Sequence, residues 1–247
     1  MSKKYSSVEV CAGAGGQALG LEMAGFDHAA LVEIEPWPVI TLKHNRPEWN
    51  IIQADLNEWE PDESLYGVDL FAGGVPCPPF SVAGKQLGKD DERDLFVRAV
   101  ELVLQMKPRG VMLENVRGLL DPKFEEYRVE ILEQLATGGY TGEWRLVTAA
   151  DYGVPQLRPR AILVALQADD WANFEWPEEH PEEAPTVGET VGDLMAANGW
   201  ESANAWAKQA NRIAPTLVGG SKKHGGPDLG PTRARKAWLE MNVIGNT

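Results

Sequence analysis

The stretch VEVCAGAGG, residues 8–16, decides how the fold of this 247-residue chain begins. It joins a short apolar run, interrupted only by Glu9, to a glycine-rich segment, and a helix-like segment follows as far as Gly25. Glycines between a strand and a helix permit left-handed turns and let a ligand approach the backbone, and the helix beyond offers free N–H groups. Nicotinamide oxidoreductases share this pattern, so alone it predicts a Rossmann-like start and no particular activity.

Outward from this turn, short apolar runs alternate with helical patterns. The predicted strands are residues 29–34, 68–72, 111–113 and 161–166, and the predicted helices are residues 37–44, 94–106 and 124–135. Such alternation predicts an α/β fold with a doubly wound, mostly parallel sheet, which we place in residues 1–168. We expect an acidic connector at 169–185, because residues 169–183 hold seven acids and no Lys or Arg. Residues 186–247 show weak periodicity and are predicted to form a small irregular C-terminal part.

The composition excludes several classes of protein. Hydrophobic residues make up 43% and charged residues 24%, as in ordinary globular domains, and two cysteines are too few for a disulfide framework. No apolar run approaches the roughly 20 residues that span a bilayer, and the first ten residues lack the apolar stretch of a signal peptide. We therefore expect a cytoplasmic protein with no membrane partner.

The charge is unevenly distributed along the chain. The formal net charge of −14 disfavours a nonspecific nucleic-acid coat protein. Residues 212–238 run against this trend, with six Lys or Arg and one Asp, a local charge of +5. Salt screens distant charges within about 10 Å, so an enzyme that binds DNA through a local basic surface remains compatible with this composition.

Chemistry-bearing residues follow the predicted strands. Cys77 lies in GGVPCPPFS, residues 73–81, where its flanking prolines argue against a continuing strand and indicate a rigid loop. Glu114 begins ENV after another strand, and Glu33 ends the second strand. The motif QLRPR, residues 156–160, holds two arginines at alternate positions. Taken singly, each acid could be a solvated surface residue, and two such arginines are more typical of a surface ion pair.

Taken together, these motifs resemble those of the DNA (cytosine-5)-methyltransferases of bacterial type. The resemblance is close over residues 8–166 and looser over residues 212–220. It rests on the order of the motifs, namely the glycine-rich loop, the acid after the second strand, Asp55, the PC loop, ENV and QLRPR. Residues 81–96 also resemble the family's catalytic loop and the helix after it. The implied fold is that of S-adenosylmethionine-dependent methyltransferases.

The resemblance implies a reaction and a role for each motif. Cys77 would add to C6 of a cytosine flipped out of duplex DNA, and Glu114 would protonate N3. Arg160 would contact the flipped ring, with support from Arg158, while C5 accepts the methyl group of S-adenosylmethionine and leaves S-adenosylhomocysteine. No metal is implied. The implied cofactor-binding residues are Cys11, Ala12, Gly13, Ala14, Gly15, Gly16, Glu33, Ile34, Asp55, Leu56, Gly74, Pro76 and Leu95.

Duplex DNA is the expected partner, and the expected location is the cytoplasm, in association with the nucleoid. The expected setting is a restriction–modification system. Residues 1–168 would bind cofactor and catalyse, and residues 186–247 would form part of a target-recognition region. The predicted DNA-binding residues are Ser81, Lys85, Gln86, Lys89, Arg93, Gln156, Arg212, Lys222, Lys223, Arg233 and Arg235.

The sequence departs from the family at its C-terminal end. The Asn-containing motif that returns to the first strands is not convincingly present, so we expect a truncated chain or one part of a split enzyme that a complementary C-terminal fragment completes. Three alternatives stay open: a catalytically silent cofactor-binding subunit, a tRNA cytosine-5 methyltransferase, and a nicotinamide oxidoreductase, which the PC loop disfavours.

Overall fold

The computed structural model describes residues 5–76, 95–217 and 229–244. The chain divides into two compact units. The first unit comprises Met1–Leu146 and Ala161–Glu175, and the second comprises Val147–Arg160 and Trp176–Thr247.

Within the described residues, seven strands form one sheet. They are β1 (Tyr5–Val10), β2 (Phe26–Glu33), β3 (Ile51–Gln53), β4 (Leu70–Gly73), β5 (Gly110–Val116), β6 (Tyr140–Thr148) and β7 (Pro159–Gln167). Their order across the sheet is β3-β2-β1-β4-β5-β7-β6. The pairs β1–β2, β1–β4, β2–β3 and β4–β5 are parallel. The predicted α/β fold with a mostly parallel, Rossmann-like sheet is confirmed.

One edge of the sheet departs from the parallel arrangement. The amide of Gln167 donates to the carbonyl oxygen of Arg109 at 3.2 Å, which sets the end of β7 beside the start of β5. Neighbouring strands that meet end to start are antiparallel, so the sheet is mixed.

Five α-helices belong to the first unit in the described part of the chain. They are α1 (Gly16–Met23), α2 (Pro36–Asn45), α3 (Leu95–Met106), α4 (Glu125–Thr137) and α5 (Ala168–Trp171). α3 buries one face, including Phe96, Ala99 and Val103, as its helical spacing of apolar residues predicts. Central strands are buried on both faces in such folds, and Val8, Val10 and Phe71 have no exposed surface.

The second unit has three α-helices among its described residues. They are α6 (Val187–Ala196), α7 (Ala203–Gln209) and α8 (Thr232–Glu240). A small apolar core joins them, formed by Val187, Trp206, Ala210, Ala214, Trp238 and Met241. The sequence pattern predicts irregular structure here, and the structure adds helices that weak periodicity did not reveal. No helix in the described residues of either unit is long and apolar enough to cross a membrane.

Candidate active site

The glycine-rich turn after β1 is built from left-handed backbone. Cys11, Gly13 and Gly15 have φ values of 53°, 54° and 88°. A side chain at Gly15 would meet α2, because an added Cβ would lie 2.5 Å from Cδ2 of Leu42. The turn therefore needs glycine at residue 15 both for its backbone conformation and for its close approach to a neighbouring helix.

The side chain of Glu33, at the end of β2, is hydrogen-bonded to the backbone of this turn. One carboxylate oxygen accepts a hydrogen bond from the amide of Gly13 at 2.7 Å, and the other accepts from the amide of Glu35 at 2.8 Å. The side chain is buried, with 7% of its surface exposed. Two backbone donors satisfy a buried carboxylate, and each oxygen keeps a further lone pair that a ligand hydroxyl can use.

A cavity of about 240 Å³ opens at the carboxyl ends of these strands. It is lined by Cys11, Val32, Glu33, Ile34, Ala54, Asp55, Leu56, Pro76 and Leu95. The structure thus brings together many of the residues that the sequence predicted for cofactor binding. Val32 and Ala54 were missed, although each directly precedes a predicted residue along the chain.

The other predicted cofactor residues lie beside this cavity. Ala12, Gly13, Ala14, Gly15 and Gly16 form the turn and the start of α1, rather than the described wall. Gly74 follows β4, and a Cβ added to it would lie 3.5 Å from Oε2 of Glu114.

Burial and nearby carboxylates both act on the Cys11 thiol in the cavity wall. Burial first, then the carboxylates of Glu33 and Asp55, raises the pKa of the Cys11 thiol to about 12. The thiol therefore stays protonated at neutral pH, and only a thiolate is an effective nucleophile. Cys11 is a wall of the cavity and a poor candidate for covalent chemistry.

Arg98 holds the loop that carries Asp55 and Leu56. From α3 its guanidinium donates to the carbonyl oxygens of Leu56 at 3.2 Å and Trp59 at 2.9 Å. It also pairs with Glu60 at 2.9 Å. Sequence reasoning missed this residue. The available signal was a single arginine in a mostly apolar helix, three residues before Glu101.

The catalytic residues predicted in the first unit are described only in part. Glu114 lies near the end of β5, over the backbone of Gly74. The adjacent Asn115 is buried, and its Nδ2 donates to the carbonyl oxygen of Val75 at 2.8 Å. Cys77 lies outside the described residues. So do Ser81, Lys85, Gln86, Lys89 and Arg93.

In the second unit, the motif QLRPR pairs with the segment from residue 212 to residue 217. Gln156 and Ala214 form a parallel bridge, and the amide of Leu157 donates to the carbonyl oxygen of Ala214 at 2.7 Å. The side-chain oxygen of Gln156 accepts from the amide of Leu217 at 3.0 Å. Gln156, predicted to contact DNA, therefore uses its carbonyl oxygen to brace the backbone.

The remaining predicted residues of the second unit are distributed over separate elements. Arg158 precedes β7, and Arg160 lies in it with one guanidinium nitrogen 2.9 Å from the carbonyl oxygen of Pro159. Arg212 forms an ion pair with Glu240. Arg233 and Arg235 are exposed on α8, and Lys222 and Lys223 lie outside the described residues.

One group of side chains in the second unit could hold a metal ion by the spacing of its ligand atoms. Within the described ranges, His180, Glu182 and Glu183 bring ligand atoms within 4.8 Å of one another. The two glutamates are exposed, and exposed acidic groups commonly lie this close without an ion. We assign no metal to them.

Comparison with known proteins gives consistent matches in sequence. The family model described as C-5 cytosine-specific DNA methylase matches residues 5–242. The Type II methyltransferase M.NaeI of Lentzea aerocolonigenes is 61% identical over 239 residues, which cover 96% of this chain and 57% of that protein. M.NgoMIV of Neisseria gonorrhoeae is 58% identical over 215 residues, covering 87% of this chain and 69% of that protein. The chain thus spans little more than half the length of the first of these relatives.

Solved structures match the fold. A candidate DNA modification methyltransferase from a prophage of E. coli has a TM-score of 0.60 and 26% identity, over 70% of this chain and 49% of that one. The Dnmt2 methyltransferase of S. pombe has a TM-score of 0.59 and 16% identity, over 87% of this chain and 72% of that one. At 16% identity, the second match supports a shared fold and nothing about function.

Proposed function

Because the chain belongs to the family of C-5 cytosine-specific DNA methylases, we propose that it transfers a methyl group from S-adenosylmethionine to C5 of cytosine in duplex DNA. One observation carries this proposal. Pro76 lines the acid-lined cavity and directly precedes Cys77 in the chain. A methyl donor held in the cavity would therefore lie next to the segment that presents the nucleophile.

The cavity suits S-adenosylmethionine by charge and by surface. The sulfonium and amino groups of this molecule are cationic, and Glu33 and Asp55 supply carboxylates in the wall. Ile34 and Leu56 add aliphatic surface on which an adenine ring can pack. The second lone pairs of the Glu33 carboxylate can accept from the ribose hydroxyls.

The proposed chemistry assigns Cys77 to attack on the base. When bound, S-adenosylmethionine supplies an electrophilic methyl group. The Cys77 thiolate forms a bond to C6, and Glu114 delivers a proton to N3 so that negative charge does not build up on the ring. C5 thereby becomes an enamine carbon and takes the methyl group. Loss of the C5 proton to a base then breaks the bond between C6 and sulfur, and N3 returns its proton to Glu114. This releases 5-methylcytosine with the thiolate restored.

The target base must leave the helix before this reaction. C5 and C6 are inaccessible in a stacked duplex, and flipping a base out costs a few kcal/mol. We assign Arg158 and Arg160 to the flipped ring, and Arg233, Arg235 and Arg212 to the DNA, because arginine forms charge-assisted hydrogen bonds to phosphate and to bases. We further propose that the protein acts on DNA in the nucleoid, as the modification enzyme of a restriction–modification system. A complementary C-terminal fragment is a further proposed partner.

Covalent trapping tests the proposal. Duplex DNA with 5-fluorocytosine at the target blocks the loss of the C5 substituent, so the proposed mechanism predicts a stable adduct at Cys77 in the presence of S-adenosylmethionine. Cys77→Ser should bind S-adenosylhomocysteine normally and form no adduct. A folded, cofactor-bound wild-type chain that forms no adduct, with or without an added C-terminal fragment, would instead support a silent subunit. Adduct formation on tRNA in preference to DNA would change the substrate.

A further inference from the structure

Asn115 is one of few buried polar side chains in the described part of the chain, with 5% of its surface exposed. Its Nδ2 donates to the carbonyl oxygen of Val75 at 2.8 Å, and its Oδ1 accepts from the amide of Val116 at 2.7 Å. A carbonyl oxygen can only accept and an N–H can only donate, so this pair of bonds fixes the orientation of the amide. Neither a carboxylate nor a hydrocarbon of the same shape can make both bonds.

The segment that Asn115 holds is the approach to Cys77. Gly73 packs against β1, since a Cβ added to it would lie 2.7 Å from the carbonyl oxygen of Val10. Val75 is buried, with 1% of its surface exposed. Pro76, the next residue, has a ring that locks φ near −65°. Only one conformationally restricted residue therefore separates the anchored carbonyl from the nucleophile.

We propose that Asn115 is a positioning residue, whose hydrogen bond to the Val75 carbonyl fixes the backbone that presents Cys77 to the target base. This inference rests on the proposed function. Glu114 and Asn115 are neighbours on β5, so the end of a single strand places the acid over Gly74 and also anchors the nucleophile's loop. One strand thus carries the proposed acid and holds the backbone that leads to the proposed nucleophile.

The test replaces the donor while keeping the shape of the side chain. Asn115→Asp can still accept from the amide of Val116, but as a carboxylate it cannot donate to the Val75 carbonyl. We expect its adduct with 5-fluorocytosine DNA to form roughly 10²-fold more slowly than that of wild type at neutral pH, the loss that a misplacement of about 1 Å produces. Binding of S-adenosylhomocysteine, measured by calorimetry, should weaken far less than the adduct rate falls, because Pro76 is only one of nine residues that line the cavity.

Acid rescue separates positioning from general damage. Once protonated, the carboxyl group introduced by Asn115→Asp regains an O–H donor, so the ratio of the variant's rate to the wild-type rate should rise as the pH is lowered. Asn115→Leu carries no donor at any pH, and its ratio should stay low and flat. Asn50→Asp is the matched control. The Asn50 amide also donates to a backbone carbonyl, that of Ala29 at 2.8 Å, but it is exposed and far along the chain from Cys77.

Two failures can be told apart. If wild type forms no adduct, the proposed function fails. If wild type forms the adduct and Asn115→Asp forms it equally fast, or more slowly by a factor that pH does not change, the role of Asn115 is refuted. Should Asn115→Asp not fold, Asn115→Ser replaces it, because its hydroxyl is too short to reach the Val75 carbonyl. Adduct formation by Asn115→Ser at the wild-type rate would overturn the inference.

Discussion

Replacing Glu9 by glutamine should stabilise the protein increasingly as the pH rises. Glu9 is the penultimate residue of β1, level with Leu31 on one neighbouring strand and Ala72 on the other. Its side chain is 1% exposed, and its Oε2 has no hydrogen-bond partner among the described residues. Burial raises the pKa of this carboxyl from 4.5 to about 8. At neutral pH the folded protein therefore carries a protonated Glu9, whereas the unfolded chain carries an ionised one.

The size of the effect follows from proton linkage. Folding takes up a proton at Glu9 between the two pKa values, so the wild-type free energy of unfolding falls with pH in this window. Each pH unit corresponds to about 1.4 kcal/mol. The stabilising contribution is fully present below about pH 4.5 and is lost as the pH rises toward about 8. Between pH 5 and pH 7.5 the loss from this one group is roughly 3 kcal/mol. Glutamine has the same shape and does not titrate.

Urea unfolding at a series of pH values measures this prediction. The difference in unfolding free energy between Glu9→Gln and wild type should grow by roughly 3 kcal/mol from pH 5 to pH 7.5 and level off above about pH 8. Glu58→Gln is the control, because it makes the same substitution at an exposed side chain, where burial does not oppose the charge. A difference for Glu9→Gln that does not change with pH would refute the assignment of a buried, protonated carboxyl.

Two further substitutions test the active site and the turn beside it. Glu114→Gln should leave S-adenosylhomocysteine binding intact and slow methyl transfer by roughly 10²-fold or more, since it removes the proposed proton donor to N3; an unchanged single-turnover rate would make Glu114 structural. Gly15→Ala should lower the free energy of unfolding by about 1–3 kcal/mol, because φ is 88° and the new methyl group would meet Leu42. Its control is Gly20→Ala within α1, where an added Cβ meets nothing within 4 Å. This substitution should raise the free energy of unfolding by up to about 1 kcal/mol. Equal effects of the two substitutions on the melting temperature would contradict this account.

The parts of the fold that sequence predicted are those governed by local patterns. The strand, glycine turn and helix that begin the chain follow from a few neighbouring residues, and the structure has them within one to three residues of the predicted bounds. The cavity residues were also predictable, because parallel strands deliver their carboxyl ends to one edge of a sheet. Asn115 and Arg98 were missed. Their roles depend on backbone carbonyls that lie about 40 residues away along the chain, and no local pattern marks such a pair.

Two of the missed elements, β6 and α6, share a physical cause: glycine lowers local propensity but also permits close packing. β6 contains Gly142, and a Cβ there would lie 2.5 Å from the Cβ of Ala165 on β7. In α6, a Cβ at Gly188 would lie 1.9 Å from the carbonyl oxygen of Ala207 on α7. Glycine lowers the local propensity for a strand or a helix, so the sequence pattern predicts neither β6 nor α6.

At Gly142 and Gly188 the absence of a side chain lets a neighbouring element pack closely, and φ is not positive at either residue. A readable signal did exist for α6, since Thr186 and Glu189 form a capping box across its first turn. Cap residues act within one turn and can be read from sequence alone. Close approach becomes visible only when the partner element is known, so a glycine beside a good cap is better interpreted as a packing contact than as the end of a helix.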